Sequence, residues 1–271
     1  MDLGLKNKIV LITGASGGIG AATARVFAEE GAKLVLHYGK NKADIEKLLK
    51  QLPLSTETLV VAADMTKEDQ VVTLFNEAVK KFGQVDIVVA NAGIFPEEDM
   101  AIQNMETSRW DKVISTNLTG AWLTAREFFK SIAKNKTDSP SLVFVSSTAG
   151  VFGEAGHSEY AAAKAALIGL TLTLKNEITR IVPNGRVNAV APGWTWSPMT
   201  EKFKSNHQAV TRALLTRPLR KIAEARDIAN QIVILSSNIA SGQVTGLVVV
   251  AAGGMEGRVL WDPSEIDPSK A

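Results

Sequence analysis

Tyr160 and Lys164 stand four residues apart in EYAAAKAALIGLTL, and Ser147 closes the apolar run SLVFVSS thirteen residues before the tyrosine. Residues i and i+4 share one face of a helix, so a phenol and an ammonium placed there converge on one point. A serine at a strand end brings a hydroxyl to the same point from the other side. Such a trio suits proton transfer at a carbonyl or an alcohol. A free phenol titrates near 10, and each unit of lowering takes about 1.36 kcal/mol of preferential phenolate stabilisation. A neighbouring lysine has the right sign to supply it. The same spacing also describes an aromatic beside a solvated lysine on an ordinary helix, so the surrounding elements decide its meaning.

The chain has 271 residues, 45% of them hydrophobic, with 30 basic and 28 acidic side chains. Those figures fit one large α/β domain with a substantial core. The cations form no run and no aromatic-interleaved patch, which argues against a nucleic-acid partner. There are no cysteines, which removes disulfides, thiolate metal sites and cysteine nucleophiles and makes a reducing compartment the expectation. His37, His157 and His207 share no metal-ligand spacing, so no metal is expected. The amino terminus MDLGLKNKIVLIT lacks the apolar core of a secretion signal. No apolar stretch approaches the roughly 18 residues of a membrane span. The expectation is a soluble cytoplasmic protein with neither nucleic acid nor membrane as partner.

Short apolar runs alternate with amphipathic stretches along most of the chain. KIVLIT (8–13), KLVLHY (33–38), TLVVAAD (58–64), VDIVVAN (85–91), SLVFVSS (141–147), RVNAVAP (186–192) and LVVVAA (247–252) read as strands. The alternation predicts a single Rossmann-type α/β domain over 1–271: a doubly wound parallel sheet of about seven strands with helices on both faces. The segment 193–218, with its prolines and tryptophans, interrupts the pattern. It reads either as a lid over the carboxyl ends of the sheet or as a surface excursion. The polar tail 256–271 either packs on the surface or a neighbour, or frays.

The first strand runs through Thr13-Gly14-Ala15-Ser16-Gly17-Gly18-Ile19-Gly20 straight into a helix. Glycines there let the backbone turn tightly and approach a pyrophosphate, which the first N–H groups and the positive end of the helix dipole then face. Strand, glycines and helix in this order predict dinucleotide binding. At the end of the second strand, where an acidic side chain would select the free ribose hydroxyls of NAD, the chain reads His37-Tyr38-Gly39-Lys40-Asn41-Lys42. Lys40 and Asn41 suit a 2′-phosphate, so NADP is preferred, with NAD as the alternative.

TGASGGIG at 13–20, Asp64, ANAG at 90–93, NLTG at 117–120, Ser147, YAAAK at 160–164 and PG at 192–193 follow one another in order. In this the chain resembles the short-chain dehydrogenase/reductase family from Thr13 through GQVTGLVVVAAGG. The resemblance implies Tyr160 as general acid in carbonyl reduction and base in alcohol oxidation, with Ser147 polarising the substrate oxygen. It implies that Lys164 lowers the phenol pKa and holds the nicotinamide ribose, and that Asn117 binds a water in a proton relay. It carries Asp64, Met65, Asn91, Ala92, Gly93, Pro192, Gly193, Thr195 and Ser197 to the cofactor, besides Tyr160 and Lys164, and these join Gly14, Ser16, Gly17, Gly18, Ile19 and Gly20 of the glycine loop and Tyr38, Lys40 and Asn41 at the end of the second strand. Four positions depart from the family's pattern. Ala90 replaces an asparagine, Gly17 stands where NADP-preferring members often carry a cation, Ser197 replaces a threonine, and Ala252 replaces an acidic residue.

Phe95, Thr148, Phe152, Gly153, His157, Trp194, Trp196 and Met199 are candidate walls for the substrate. Their apolar and aromatic character suits a carbonyl compound with a hydrophobic body. Trp194 and Trp196 equally suit an anchor for the lid, and His157 suits the rim. The leading expectation is an NADP(H)-dependent oxidoreductase of ketones and secondary alcohols, assembled as a homotetramer or dimer. A reductase of 3-oxoacyl thioesters is the narrower alternative. A nucleotide sensor without turnover is the alternative from another class, and it would have no use for an intact Asn117–Ser147–Tyr160–Lys164 set.

Overall fold

Strands that are Val, Ile and Leu on both faces have nowhere to stand but between two layers of helix, and this chain builds such a sheet. The computed structural model describes residues 2–135, 137–198, 200–256, 259 and 261–267. β1 (Ile9–Ile12) is followed by α1 (Gly18–Glu29), β2 (Lys33–Tyr38), α2 (Lys42–Leu49), β3 (Thr58–Ala62), α3 (Glu68–Phe82) and β4 (Ile87–Ala90). The second half adds α4 (Thr107–Ile114), α5 (Gly120–Lys134), β5 (Ser141–Val145), α6 (Thr148–Phe152), α7 (Ser158–Ile181) and β6 (Arg186–Pro192). Then come β7 (Thr195–Trp196), α8 (His207–Leu214), β8 (Ala223–Glu224), α9 (Ala225–Ser236), α10 (Asn238–Ser241) and β9 (Val248–Ala251).

Seven parallel strands lie in the order β3-β2-β1-β4-β5-β6-β9. Alternate residues of β1 serve opposite cores. Val10 and Ile12 pack with Phe27 of α1 and Ile232 of α9, while Leu11 packs with Leu74 of α3, Phe128 of α5 and Leu167 of α7. All seven strands coincide with the apolar runs of the sequence. β7 and β8 do not: they pair as a separate ribbon, Thr195 with Ala223 and Trp196 with Glu224, and two-residue strands leave no periodicity to read.

Three local features set the site. α4 and α5 form one rod joined by a π-helical turn at Ser115–Thr119, whose flanking residues all keep right-handed helical angles. The buried Glu159 at the start of α7 accepts a hydrogen bond from Arg109 Nε of α4 at 2.7 Å. α6 lies so close to α7 that a Cβ on Gly150 would stand 2.6 Å from the carbonyl carbon of Lys164.

Candidate active site

The sheet order reverses between β1 and β4, and a crevice opens beyond the carboxyl ends of strands at such a reversal. The segments after β1 and β4 are laced together there. Thr13 Oγ1 accepts from the N–H groups of Asn91 and Ala92, each at 3.0 Å, and Asn91 Nδ2 donates to the Thr13 and Gly14 carbonyls at 3.0 and 3.1 Å. Gly14 has φ +66°, and a Cβ on Gly20 would lie 2.2 Å from the Gly14 oxygen. Only glycine fits that approach. The first turn of α1 carries no acidic residue and its N-cap, Gly17, offers no side chain. Its leading N–H groups, those of Gly18, Ile19 and Gly20, are therefore not claimed by a side-chain cap or countered by a carboxylate, which suits them to an anion.

His37 fixes the loop from behind. Gly14 N–H donates to His37 Nδ1 at 3.0 Å, so Nε2 carries the proton and donates to the Ala63 carbonyl at 2.9 Å. Burial holds this imidazole below its usual range, in keeping with a neutral ring.

On the other side of the crevice, Ser147 N-caps α6 and its Oγ accepts from Ala149 N–H at 3.1 Å. One turn into α7, the Lys164 ammonium lies 5.6 Å from the Tyr160 ring centroid and donates to the Val145 carbonyl at 2.8 Å. Ser146 Oγ donates to the Lys164 carbonyl at 2.7 Å, which locks α7 to the end of β5. Asn117, in the π turn, spans the backbone of Ile94: its Nδ2 donates to the carbonyl at 2.8 Å and its Oδ1 accepts the N–H at 2.7 Å. Gly93 sits between the two, since a Cβ there would be 3.1 Å from Asn117 Oδ1 and 3.5 Å from Lys164 Nζ. All four residues of the predicted set thus meet.

The electrostatics differ from the sequence reading in one respect. Burial pushes the Tyr160 phenol up to about 12, with the Ser147 hydroxyl opposing the rise and the Glu154 carboxylate adding to it. Lys164 is itself lowered to about 8 by burial. Lys164 is not among the groups that shift the phenol in this cofactor-free geometry, where burial is the largest influence, and its ammonium donates to the Val145 carbonyl.

The remaining predicted residues are distributed as follows. Phe95 lies edge-on to Tyr160 at 5.0 Å between ring centroids and stacks on His157 at 4.6 Å. His157 is buried and its Nε2 donates to the Pro96 carbonyl at 2.9 Å. Thr148 opens α6, with Phe152 exposed at its end and Gly153 at φ +80° after it. Trp196, 6% exposed, belongs to a small separate core with Val210, Leu214 and Ile222, and Trp194 packs against it and against Phe203. Met199 lies outside the described residues. Pro192 closes β6, and a Cβ on Gly193 would meet that of Ala252 at 2.8 Å. Thr195 Oγ1 donates to the Gly193 carbonyl, and the Ser197 and Thr200 hydroxyls lie 3.3 Å apart. Ser197 also roofs the glycine loop, since a Cβ on Gly18 would come within 2.5 Å of its Cβ; Ser16, in the same loop, is half-buried.

At the adenosine end, the half-buried Tyr38 packs on the α1 side of the core and Lys40 is exposed. Asn41 N-caps α2: its Oδ1 accepts from Asp44 N–H at 3.3 Å, and its amide donates to the Asp44 carboxylate. Asp64 accepts from the N–H and hydroxyl of Thr66 at 2.9 and 2.8 Å, which lowers its carboxyl below the usual range. Met65 is buried against Gly120.

Residues 8–208 match the family model described as short chain dehydrogenase. The chain belongs to the short-chain dehydrogenase family. Among curated relatives of this dehydrogenase is a 3-oxoacyl-[acyl-carrier-protein] reductase of Thermotoga maritima, 37% identical over 254 residues, which cover 93% of this chain and 98% of that one. A cis-4-hydroxycyclohexanecarboxylate dehydrogenase of Sinomonas cyclohexanicum is 34% identical, covering 91% and 96%. The crystal structure of levodione reductase superposes with a TM-score of 0.85 at 32% identity, covering 92% of this chain and 97% of that one. This short-chain dehydrogenase is accordingly an oxidoreductase of C=O and CH–OH groups that binds a nicotinamide cofactor. The glycine cradle after β1 and the uncapped start of α1 fit the pyrophosphate of such a cofactor. Thr13, His37, Ser146 and Gly150 serve the site without appearing among its predicted residues. None has a chemical signature in the sequence, because each acts by holding backbone in place. Among the described residues no helix is long and apolar enough to cross a membrane, and no group of His, Cys, Asp and Glu is arranged to hold a metal ion.

Proposed function

We propose that this dehydrogenase uses NADP(H) to interconvert a ketone and a secondary alcohol, with Tyr160 as the proton donor and acceptor. The observation that carries the proposal is the meeting of Tyr160, Ser147, Lys164 and Asn117 beside the glycine loop. The bound nicotinamide supplies hydride chemistry. In reduction Ser147 Oγ hydrogen-bonds the carbonyl oxygen and Tyr160 delivers its proton there as negative charge develops. A phenol near 12 is protonated at neutral pH and so ready to donate in reduction. Lys164 replenishes the proton, and Asn117 orders the turn through which solvent reaches the lysine. The test is a panel of cyclic ketones, aryl ketones, 3-oxoacyl thioesters and the matching alcohols, followed at the nicotinamide absorbance. Failure of every member with both NADPH and NADH would end the proposal. The Thermotoga maritima reductase supports 3-oxoacyl thioesters as the second reading, and preferential turnover of the thioesters would select it.

NADP rests on Lys40, since Asn41 is spent on capping α2 and Gly17 carries no cation. Lys40→Ala raises the KM for NADPH about tenfold, the loss of one phosphate contact worth about 1.4 kcal/mol, and leaves that for NADH unchanged. An equal effect on both coenzymes removes the argument. A cytoplasmic homotetramer or dimer completes the proposal, with the exposed Trp122 of α5 and Leu172 of α7 as contact residues; light scattering on the purified chain gives the assembly directly.

A further inference from the structure

The described part of the carboxyl-terminal tail is built into the lid. Trp261 Nε1 donates to the carbonyl of Arg217 at 2.6 Å, and the Arg220 guanidinium lies over the Trp261 ring, 3.8 Å from its centroid. Ile266 completes the small core that holds Trp196, Val210 and Leu214. The polar composition of the tail gives no hint of this; among the described residues Trp261 and Ile266 are the ones that pack into that core.

Arg217 is the unusual member. It is 3% exposed, yet among the described residues its Nη1 reaches the Trp194 carbonyl at 3.3 Å and its Nε is buried without a partner. Its Nη2 lies 3.5 Å from where a Cβ of Gly193 would stand. Burial lowers the guanidinium to about 10, so it is still charged at neutral pH. A buried cation without a carboxylate is costly, by several kcal/mol before compensation, and an apolar residue would fill the space more cheaply. What the guanidinium adds is a grip on Trp194, at the start of the segment 193–218. The connections run from Trp261 to the backbone of Arg217, through its side chain to Trp194, along β7 to Ser197, and from there onto Gly18 of the glycine loop.

We propose that Arg217 and the Trp261 tail form a strap that positions the Trp194–Ser197 strand over the glycine loop and so sets affinity for the nicotinamide half of the dinucleotide. Arg217 is a positioning residue here and touches no reacting atom. The inference rests on the dinucleotide reading given above, and two measurements on the full-length chain separate them. Amide hydrogen exchange in the cofactor-free protein reads the strap itself. Arg217→Met and Trp261→Ala accelerate exchange across Thr195–Leu214 at least tenfold and leave β5 unchanged. Arg217→Lys, which keeps a donor for the Trp194 carbonyl, recovers most of the protection. Titration with NADPH and with 2′-phospho-ADP-ribose, which lacks nicotinamide, reads the consequence. Both disruptive variants weaken NADPH about tenfold and leave the truncated nucleotide unaffected. Unchanged lid exchange, or equal weakening of the two nucleotides, overturns the strap. A wild-type chain that protects this segment but binds neither nucleotide nor NADH overturns the dinucleotide reading instead.

Discussion

A Tyr160→Phe protein turns over its substrate about 10³-fold more slowly than the wild type, within the usual range for removal of a general acid, while its fold and dinucleotide affinity stay as they were. The substitution deletes one oxygen. The ring keeps its edge-on contact with Phe95 at 5.0 Å, and Ser147 keeps its bond with Ala149 N–H, so packing has little to lose. The stability of the variant carries its own signature. The folded phenol titrates near 12 against 10.0 for the free side chain, so between those values the folded protein retains a proton that the unfolded chain releases. That contribution is fully present below pH 10 and is lost as pH rises towards 12. Phenylalanine has no such loss, and the two proteins diverge only in the alkaline window. Rates on an active ketone, with urea melts at neutral pH and near pH 11, measure both effects. Near-normal turnover would remove Tyr160 from proton transfer.

Lys164→Met moves activity and stability in opposite directions. The ammonium is buried and lowered from 10.5 to about 8, so the folded state binds that proton less tightly than the unfolded chain. Below pH 8 the folded protein bears the whole penalty, of order 3 kcal/mol as an upper bound, and the penalty is relieved as pH rises from 8 to 10.5. Methionine fills a similar volume without charge. It leaves the Val145 carbonyl without its donor, a loss of about 1 kcal/mol. The cofactor-free variant is therefore more stable at pH 7 by about 1–2 kcal/mol, and the gain shrinks towards pH 10.5. Turnover falls about 10²-fold with the proton supply. Denaturation at the two pH values checks the sign. A variant less stable at pH 7, or one whose advantage grew with pH, would show that the ammonium is not under strain.

The apolar strands and the glycine cradle were legible because they depend on burial and backbone freedom, which residue type reports directly. Tyr160, Lys164 and Ser147 lie together as their spacing anticipated, and Asn117, which the resemblance supplied, lies beside them. What escaped depends on which polar group a side chain finds. Asn41 reads as a phosphate ligand, but it lies three residues before Asp44 and caps α2 instead. Lys164 reads as the group that lowers the phenol, yet it turns to Val145. His37 reads only as the penultimate residue of a strand, and no pattern shows that the glycine after β1 will donate to its ring. Trp196 suits a pocket wall or an anchor equally on composition, and the choice lies in contacts with residues as distant as Ile266.

The π turn at Ser115–Thr119 makes this enzyme vulnerable to an uncommon class of genetic lesion. Such a turn carries one residue more than the α-helix it interrupts. The in-frame loss of a single codon there would give a more regular rod with no backbone bond sacrificed. It would leave the two flanking helices in register and remove the widened turn that holds Asn117 against Ile94. A null allele could thus arise from a helix that has been tidied.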